Sequence, residues 1–197
     1  GDLVAAESFF VSGVSNAIPA VAGAVNTSYI TDGAITAAKM AASGAWAPAG
    51  TVIQVVNVTT GEVATGTTVV PVDNTIPQIT EGDQYMTLSI TPTSATSLLE
   101  VAVTTLSGSS VTNWQVLMLF RDAVANALGV TGFYVGTSSA VTCSLMYHMT
   151  AGTTSAITFR VRIGGQSAGT TTFNGAAGVR IFGGTAASSI TIKEYAA

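Results

Sequence analysis

From Thr51 onward, apolar and polar residues alternate with a period of two. Ile53 and Val55 share one face of an extended segment, with Val52, Gln54 and Val56 opposite. Met86, Leu88 and Ile90 alternate with Tyr85, Thr87 and Ser89, and Leu99, Val101 and Val103 with Glu100, Ala102 and Thr104. The clearest segment sets Ile157, Phe159, Val161 and Ile163 against Thr158, Arg160 and Arg162; a last one sets Ile190 and Ile192 against Thr191 and Lys193. Successive side chains of a strand point to opposite faces, so this pattern predicts antiparallel strands with one face on a core. Phe159 and Val161 are expected inside, and Arg160 and Arg162 toward solvent or a neighbouring subunit.

Two segments depart from the alternation. Trp114, Val116, Met118 and Phe120 lie on one face of a segment whose other face carries Leu117 and Leu119. A strand apolar on both faces is central or lies at a subunit interface, which makes Trp114 and Phe120 candidate interface residues. The segment 141–148 is similar, with Met146 on its otherwise polar face. Strand signals separated by Gly, Ser, Asn and Thr loops predict an all-β fold, an antiparallel β-sandwich of jelly-roll type. Gly164-Gly165 and Gly183-Gly184 lack the Lys-Ser/Thr of a phosphate loop and read as hairpin turns. Helical candidates are short, at 122–128 and 34–42.

The composition changes near residue 47, at the turn signal Ala47-Pro48-Ala49-Gly50. Residues 1–47 are rich in Ala, Gly, Ser and Val, with too few large apolar side chains for a core of their own. They are expected to form an extended or partly helical arm that orders against partners, with residues 48–197 as the knob. Phe9 and Phe10 are the candidate anchors of that arm, and Trp46 stands at the join. No apolar run reaches the length of a membrane-spanning helix, and the stretch 3–25 lacks the basic start of a secretory signal.

Charge is scarce: six Lys and Arg, ten Asp and Glu and one His in 197 residues, where an ordinary domain is about a quarter charged. Acid–base, nucleophilic and metal chemistry need clustered ionisable groups, so the chain is read as a structural or binding protein and not an enzyme. No catalytic residue, cofactor or metal site is assigned. A net charge of −4 without a Lys or Arg run argues against nucleic acid as a partner, and no membrane insertion is expected. Cys143 is alone, which excludes an internal disulfide, and it alternates with Val141 and Leu145 as a small buried side chain. His148 is expected in the core or at an interface, and Arg121 with Asp122 as a surface ion pair or turn cap. Glu81-Gly82-Asp83, near Asp73 and Asn74, offers oxygen ligands for Ca²⁺ but no matching loop motif, and reads as a polar turn. The surplus of apolar residues predicts a homotrimer.

Ile30-Thr31-Asp32-Gly33-Ala34-Ile35-Thr36-Ala37-Ala38-Lys39-Met40 resembles the ITDGAIT-x-AK unit that recurs in bacteriophage tail fibres and similar virion fibres. The run from Trp46 through Val56 is similar to the junction into a fibre head domain. Glu81-Gly82-Asp83-Gln84-Tyr85-Met86-Thr87-Leu88, Gly169-Thr170-Thr171-Thr172-Phe173-Asn174-Gly175 and Ser188-Ser189-Ile190-Thr191-Ile192 resemble such heads. The resemblance implies a virion protein: a short trimeric fibre or spike whose arm binds other tail or capsid proteins. Its knob would meet a host-surface glycan or protein. A capsid decoration or cement protein is the alternative, and a polysaccharide depolymerase, which needs two spaced carboxylates in a groove, is the third.

Overall fold

In a computed structural model that describes residues 47–197, the chain runs through twelve strands. These are β1 (Val52–Thr60), β2 (Ala64–Gly66), β3 (Asp83–Ile90), β4 (Leu98–Ser109), β5 (Asn113–Arg121), β6 (Gly129–Val135), β7 (Ala140–Thr150), β8 (Ile157–Gly165), β9 (Thr171–Phe173), β10 (Gly175–Ala176), β11 (Val179–Arg180) and β12 (Ser188–Tyr195). The expectations for Phe9, Phe10, Trp46, the fibre-like unit at 30–40 and a helical turn at 34–42 lie outside the described residues.

The long strands form two antiparallel sheets. The first runs β1-β12-β4-β7, and the second β3-β8-β5-β6. The chain changes sheet between successive long strands except at the β5–β6 hairpin, which is the winding of a jelly roll. Beyond the end of β12, β9 pairs with Ser107–Ser109 of β4 and β2 pairs with β9, so these short strands prolong the first sheet. The antiparallel sandwich expected from the alternation is the fold observed.

The period-two residues meet between the sheets. Leu99, Val101, Val103, Ile190 and Ile192 from the first sheet pack on Met86, Ile90, Leu117, Leu119, Ile157, Phe159, Val161 and Ile163 from the second. Arg160 and Arg162 lie on the outer face, yet neither is simply solvated. Arg160 Nε donates to the Asp122 carbonyl at 2.8 Å, and Arg162 Nε donates to the Glu81 carbonyl at 3.0 Å, with Nη2 donating to that of Gly82 at 2.6 Å. The two guanidinium groups hold loops of their own chain against the sheet.

Those loops explain the strand that is apolar on both faces. Leu117 and Leu119 of β5 face the main core, whereas Val116, Met118 and Phe120 face outward into a second small core with Val70, Ile79 and Ala127. The cover is the crossing segment 67–82 together with 122–128. Val70 N donates to the Gly165 carbonyl at 2.9 Å where the segment passes over β8. Gly164 lies under that crossing: a Cβ there would sit 2.6 Å from the Thr68 carbonyl oxygen and 2.7 Å from Val70 Cγ2. Gly164 and Gly165 are therefore strand residues, not the expected hairpin turn. Gly183 and Gly184 sit in a 3-10 turn at Phe182–Gly184, with φ of 64° and 84°.

Two further expectations change. The segment 122–128 is not helical, because Asp122 takes a left-handed φ of 53° and the backbone pairs elsewhere. Ala127 N donates to the Pro77 carbonyl at 3.0 Å and Leu128 N to that of Leu119 at 2.7 Å. Strand β7 is not buried on both faces. It is an edge strand that pairs with β4, and Met146 is 63% exposed.

Both ends of the sandwich are closed by buried polar side chains. At one end Gln115 of β5 reaches across to the first sheet. Its Nε2 donates to the Gly108 carbonyl at 3.1 Å and to Thr171 Oγ1 at 3.0 Å, and its Oε1 accepts from the Ser107 hydroxyl. Beside it Asn174, fully buried with φ of 54°, donates through Nδ2 to the carbonyls of Thr60 (2.7 Å) and Glu62 (3.0 Å) and accepts from Ser188 Oγ at 2.6 Å. At the other end the buried Glu194 carboxylate accepts from Thr93 N and Oγ1, both at 2.7 Å, and from Ser94 N at 3.4 Å.

Replacing Phe159 by Ala removes a fully buried ring and is expected to cost about 3–5 kcal/mol in urea unfolding. Gln115→Leu fills similar volume but strands a carbonyl and two hydroxyls. It should destabilise the fold by about 2–4 kcal/mol, and a neutral result would show that water replaces the amide.

Candidate interaction surfaces

The outer face of the first sheet is built from the residues that alternate away from the core. Across its strands lie the rows Met146–Ala102–Thr191–Asn57, Ser144–Thr104–Ser189–Thr59 and His148–Glu100–Lys193–Val55. Small hydroxyls dominate, and they pair with one another: Thr104 Oγ1 lies 3.1 Å from Ser144 Oγ, and Asn57 Nδ2 donates to Thr191 Oγ1 at 2.7 Å. The charged groups of this face form one cluster around Glu100. Its Oε1 accepts from Lys193 Nζ at 2.8 Å, its Oε2 accepts from the Tyr195 hydroxyl at 3.0 Å, and His148 Nε2 lies 3.4 Å from Oε2. The Lys193 ammonium first, and the Tyr195 hydroxyl next, hold the Glu100 carboxyl below its usual range. His148 is thus on the exposed face of an edge strand and not in the core.

Among the described residues β1 is the edge of this sheet opposite β7. Val52 and Val55 point outward, and Ile53 and Val58 are exposed along the same strand; Leu98 and Met146 add apolar surface on the face itself. An uncovered apolar edge strand is a template for pairing with another chain.

The outer face of the second sheet is different. Its β3-β8-β5 part is covered by the segment 67–82, but toward β6 the cover stops and leaves a groove of about 370 Å³. Pro71, Val72, Asp73, Thr75 and Pro77 form one wall, and Trp114, Val116, Val130 and Gly132 the other. The Trp114 indole is 44% exposed, lies over Gly132 and meets Tyr134 edge-on, with ring centroids 6.1 Å apart and planes at 72°.

Of the sequence candidates, Trp114 is therefore at the surface and Phe120 is fully buried in the second core of its own chain. No interface needs Phe120, because 67–82 supplies the partner that the strand pattern required. The acidic candidates are each used locally. Glu81 Oε2 accepts from Gln78 N at 3.0 Å, the Asp83 carboxylate accepts from Thr68 N and Oγ1, and Asp122 Oδ1 accepts from Thr158 N at 2.9 Å. Arg121 and Asp122 form the expected contact, Nε to Oδ2, at 3.3 Å. Among the described residues no three His, Cys, Asp or Glu side chains gather where a metal could sit. Cys143 is half-buried against the core, and burial pushes its thiol up.

A family model described as the Pgp3 C-terminal domain matches residues 56–197. The chain belongs to that family. The Pgp3 C-terminal domain match starts within β1 and ends past β12, so it spans the jelly roll and leaves out the fibre-like unit at 30–40. No curated protein matches the chain. Among solved structures, a CBM4 structure is 11% identical, with 58% of this chain and 68% of that one covered and a TM-score of 0.35. The CBM36-1 domain of a multidomain xylanase from the hindgut metagenome of Trinervitermes trinervoides is 13% identical, covers 71% and 96%, and scores 0.37. A structure of infectious bursal disease virus, Gx strain, is 8% identical, covers 73% and 36%, and scores 0.36. The chain is a member of the Pgp3 C-terminal domain family with a β-rich structural architecture.

The Glu100 cluster has a measurable signature. A carboxyl whose folded pKa is depressed adds stability above its unfolded value of 4.5 and loses it as the pH falls through the folded value. Glu100→Gln should lower the melting temperature at pH 7, and the gap from the parent protein should close below pH 4.5. A gap that persists at low pH would mean that the glutamine disturbs packing.

Proposed function

We propose that the protein is a non-catalytic structural knob that works as a homotrimer at the end of a short virion fibre. The observation that carries this reading is the outer face of the first sheet with its β1 edge. It is rich in small hydroxyls, its few charges satisfy one another, and Val52, Ile53, Val55, Val58, Leu98 and Met146 are exposed on it or along its edge. Such a surface loses little on desolvation and gains from apolar contact, which favours self-association. The number three and the virion come from the fibre-head resemblance, in which the arm at 1–47 attaches to other virion proteins. The local use of Glu81, Asp83 and Asp122 supports a non-catalytic role over a depolymerase.

Light scattering at micromolar concentration should return the mass of three chains, and Val55→Lys with Met146→Lys should shift it to one without lowering strand content. A parent protein that stays monomeric would end the reading. Antibody-labelled electron microscopy of particles then places the knob: density at a tail supports the fibre, and density at capsomer junctions supports the decoration protein. Removing residues 1–46 should leave a folded knob that no longer joins the particle.

A further inference from the structure

The groove on the second sheet plays no part in the assembly argument, and its chemistry is specific. We propose that it binds one pyranose unit of a neutral glycan, with Trp114 as the stacking ring and Asp73 as the hydroxyl acceptor. This deepens the host-attachment side of the knob reading and rests on it.

Four observations lead there. The groove, at about 370 Å³, is in the range of small-molecule sites. Its one aromatic wall is the half-exposed Trp114, steadied by Gly132 beneath and Tyr134 beside it. An indole that stays at the surface of a sheet presents flat apolar area to the C–H face of a sugar at little entropic cost.

The opposite wall is pre-formed. It is pinned at its start by Val70 N donating to Gly165, and at its far end by Ala127 N donating to Pro77 and by Gln78 Nε2 donating to Asn126 Oδ1 at 3.0 Å. Pro71 and Pro77 stiffen what lies between. Within that wall Asp73 Oδ1 accepts from Thr75 N at 2.8 Å and Thr75 Oγ1 at 2.6 Å. Oδ2 has no donor among the described residues and remains to accept hydroxyl hydrogens.

The charge of the site chooses the ligand. No Lys, Arg or His lines the groove, and the Thr75 hydroxyl and amide keep Asp73 ionised, so a sialic acid, uronic acid or phosphate would be repelled. Of the ligands that remain, a neutral hexopyranose matches both walls at once, with an apolar C–H face for Trp114 and hydroxyl hydrogens for Asp73 Oδ2.

The test uses the full chain on a printed array of neutral and acidic glycans, followed by tryptophan-fluorescence titration with the neutral oligosaccharides that bind. Neutral pyranose-terminated glycans should bind and acidic ones should not. Trp114→Ala and Asp73→Asn should each weaken binding by roughly tenfold or more, while Phe182→Ser, at an exposed site elsewhere, should leave it unchanged. Melting temperature and light scattering on the same samples show that fold and oligomer survive. Absence of neutral-glycan binding, equal binding by Trp114→Ala, or a preference for acidic glycans or for tetramethylammonium would overturn the proposal. If the protein is trimeric and still attaches to particles, such a result ends the groove assignment and leaves the structural reading standing.

Discussion

The structure depends on closing the two ends of a sandwich with buried polar side chains that pair with one another and with the backbone, although Ser97 Oγ, Asn113 Oδ1 and the Tyr85 hydroxyl find no partner among the described residues. An apolar core between two sheets needs no special device at its middle. At its ends, strands separate and backbone groups lose their ladder partners, and each one left dry costs about 1–3 kcal/mol. Gln115 and Asn174 solve this at one end and Glu194 at the other, each with three donors or acceptors. Asn174 does more than satisfy itself. It bonds the carbonyls on either side of Gly61, where the outer strand breaks into β1 and β2, and so keeps both halves in one sheet. At the Gln115 end the low charge of the chain suits this design, since neutral amides and hydroxyls are buried at far lower cost than ions, and the acidic Glu194 at the other end is met by three donors.

The two outer faces then take different roles from the same alternation. The first sheet turns outward a field of Ser, Thr and Asn with scattered apolar residues, and its single ion cluster is internally matched around Glu100. The second turns outward a row too apolar to leave wet, Val116, Met118 and Phe120, and the chain folds its own segment 67–82 over it. Arg162 fastens that cover, and Arg160 the loop at 122–128, through backbone carbonyls, which is why arginines on a strand need no acidic partner here. Where the cover ends, Trp114 continues the row with no lid among the described residues, and the groove is the result.

Much of this was legible in the residues. Period-two alternation located β3, β4, β8 and β12, with β1 at the edge, and placed Phe159 and Val161 inside, while β5 and β7 stood out as the segments that depart from it. Strand β6 was harder to see: Gly129 and Gly132 interrupt it, and Gly132 is there to admit the Trp114 ring. A strand apolar on both faces says that something covers it, but not whether the cover is a partner or a loop. Phe120 was read as an interface residue for that reason, and a proline-bounded segment forty residues upstream proved to be its partner. The groove was legible only as one aromatic among several, since its opposite wall is distant in sequence. Asp73-Asn74-Thr75 carried the signal of an Asx turn, and a search for acceptors opposite Trp114 would have found it.

Strand β12 lies between β1 and β4, yet it follows both in the chain; Asn57 meets Ile190 across 133 positions. A nascent chain that has emitted β1 through β11 holds two strands with a vacant slot between them and apolar edges facing it. Contacts of such long sequence separation form slowly, because the loop entropy is spent before any pairing repays it. During synthesis the protein therefore passes through an interval in which it is adhesive to other chains. The slot closes when residues 188–195 slide in, and the outer edge of β1 stays open, so the rate at which β12 docks bears on how much of this protein reaches its native form.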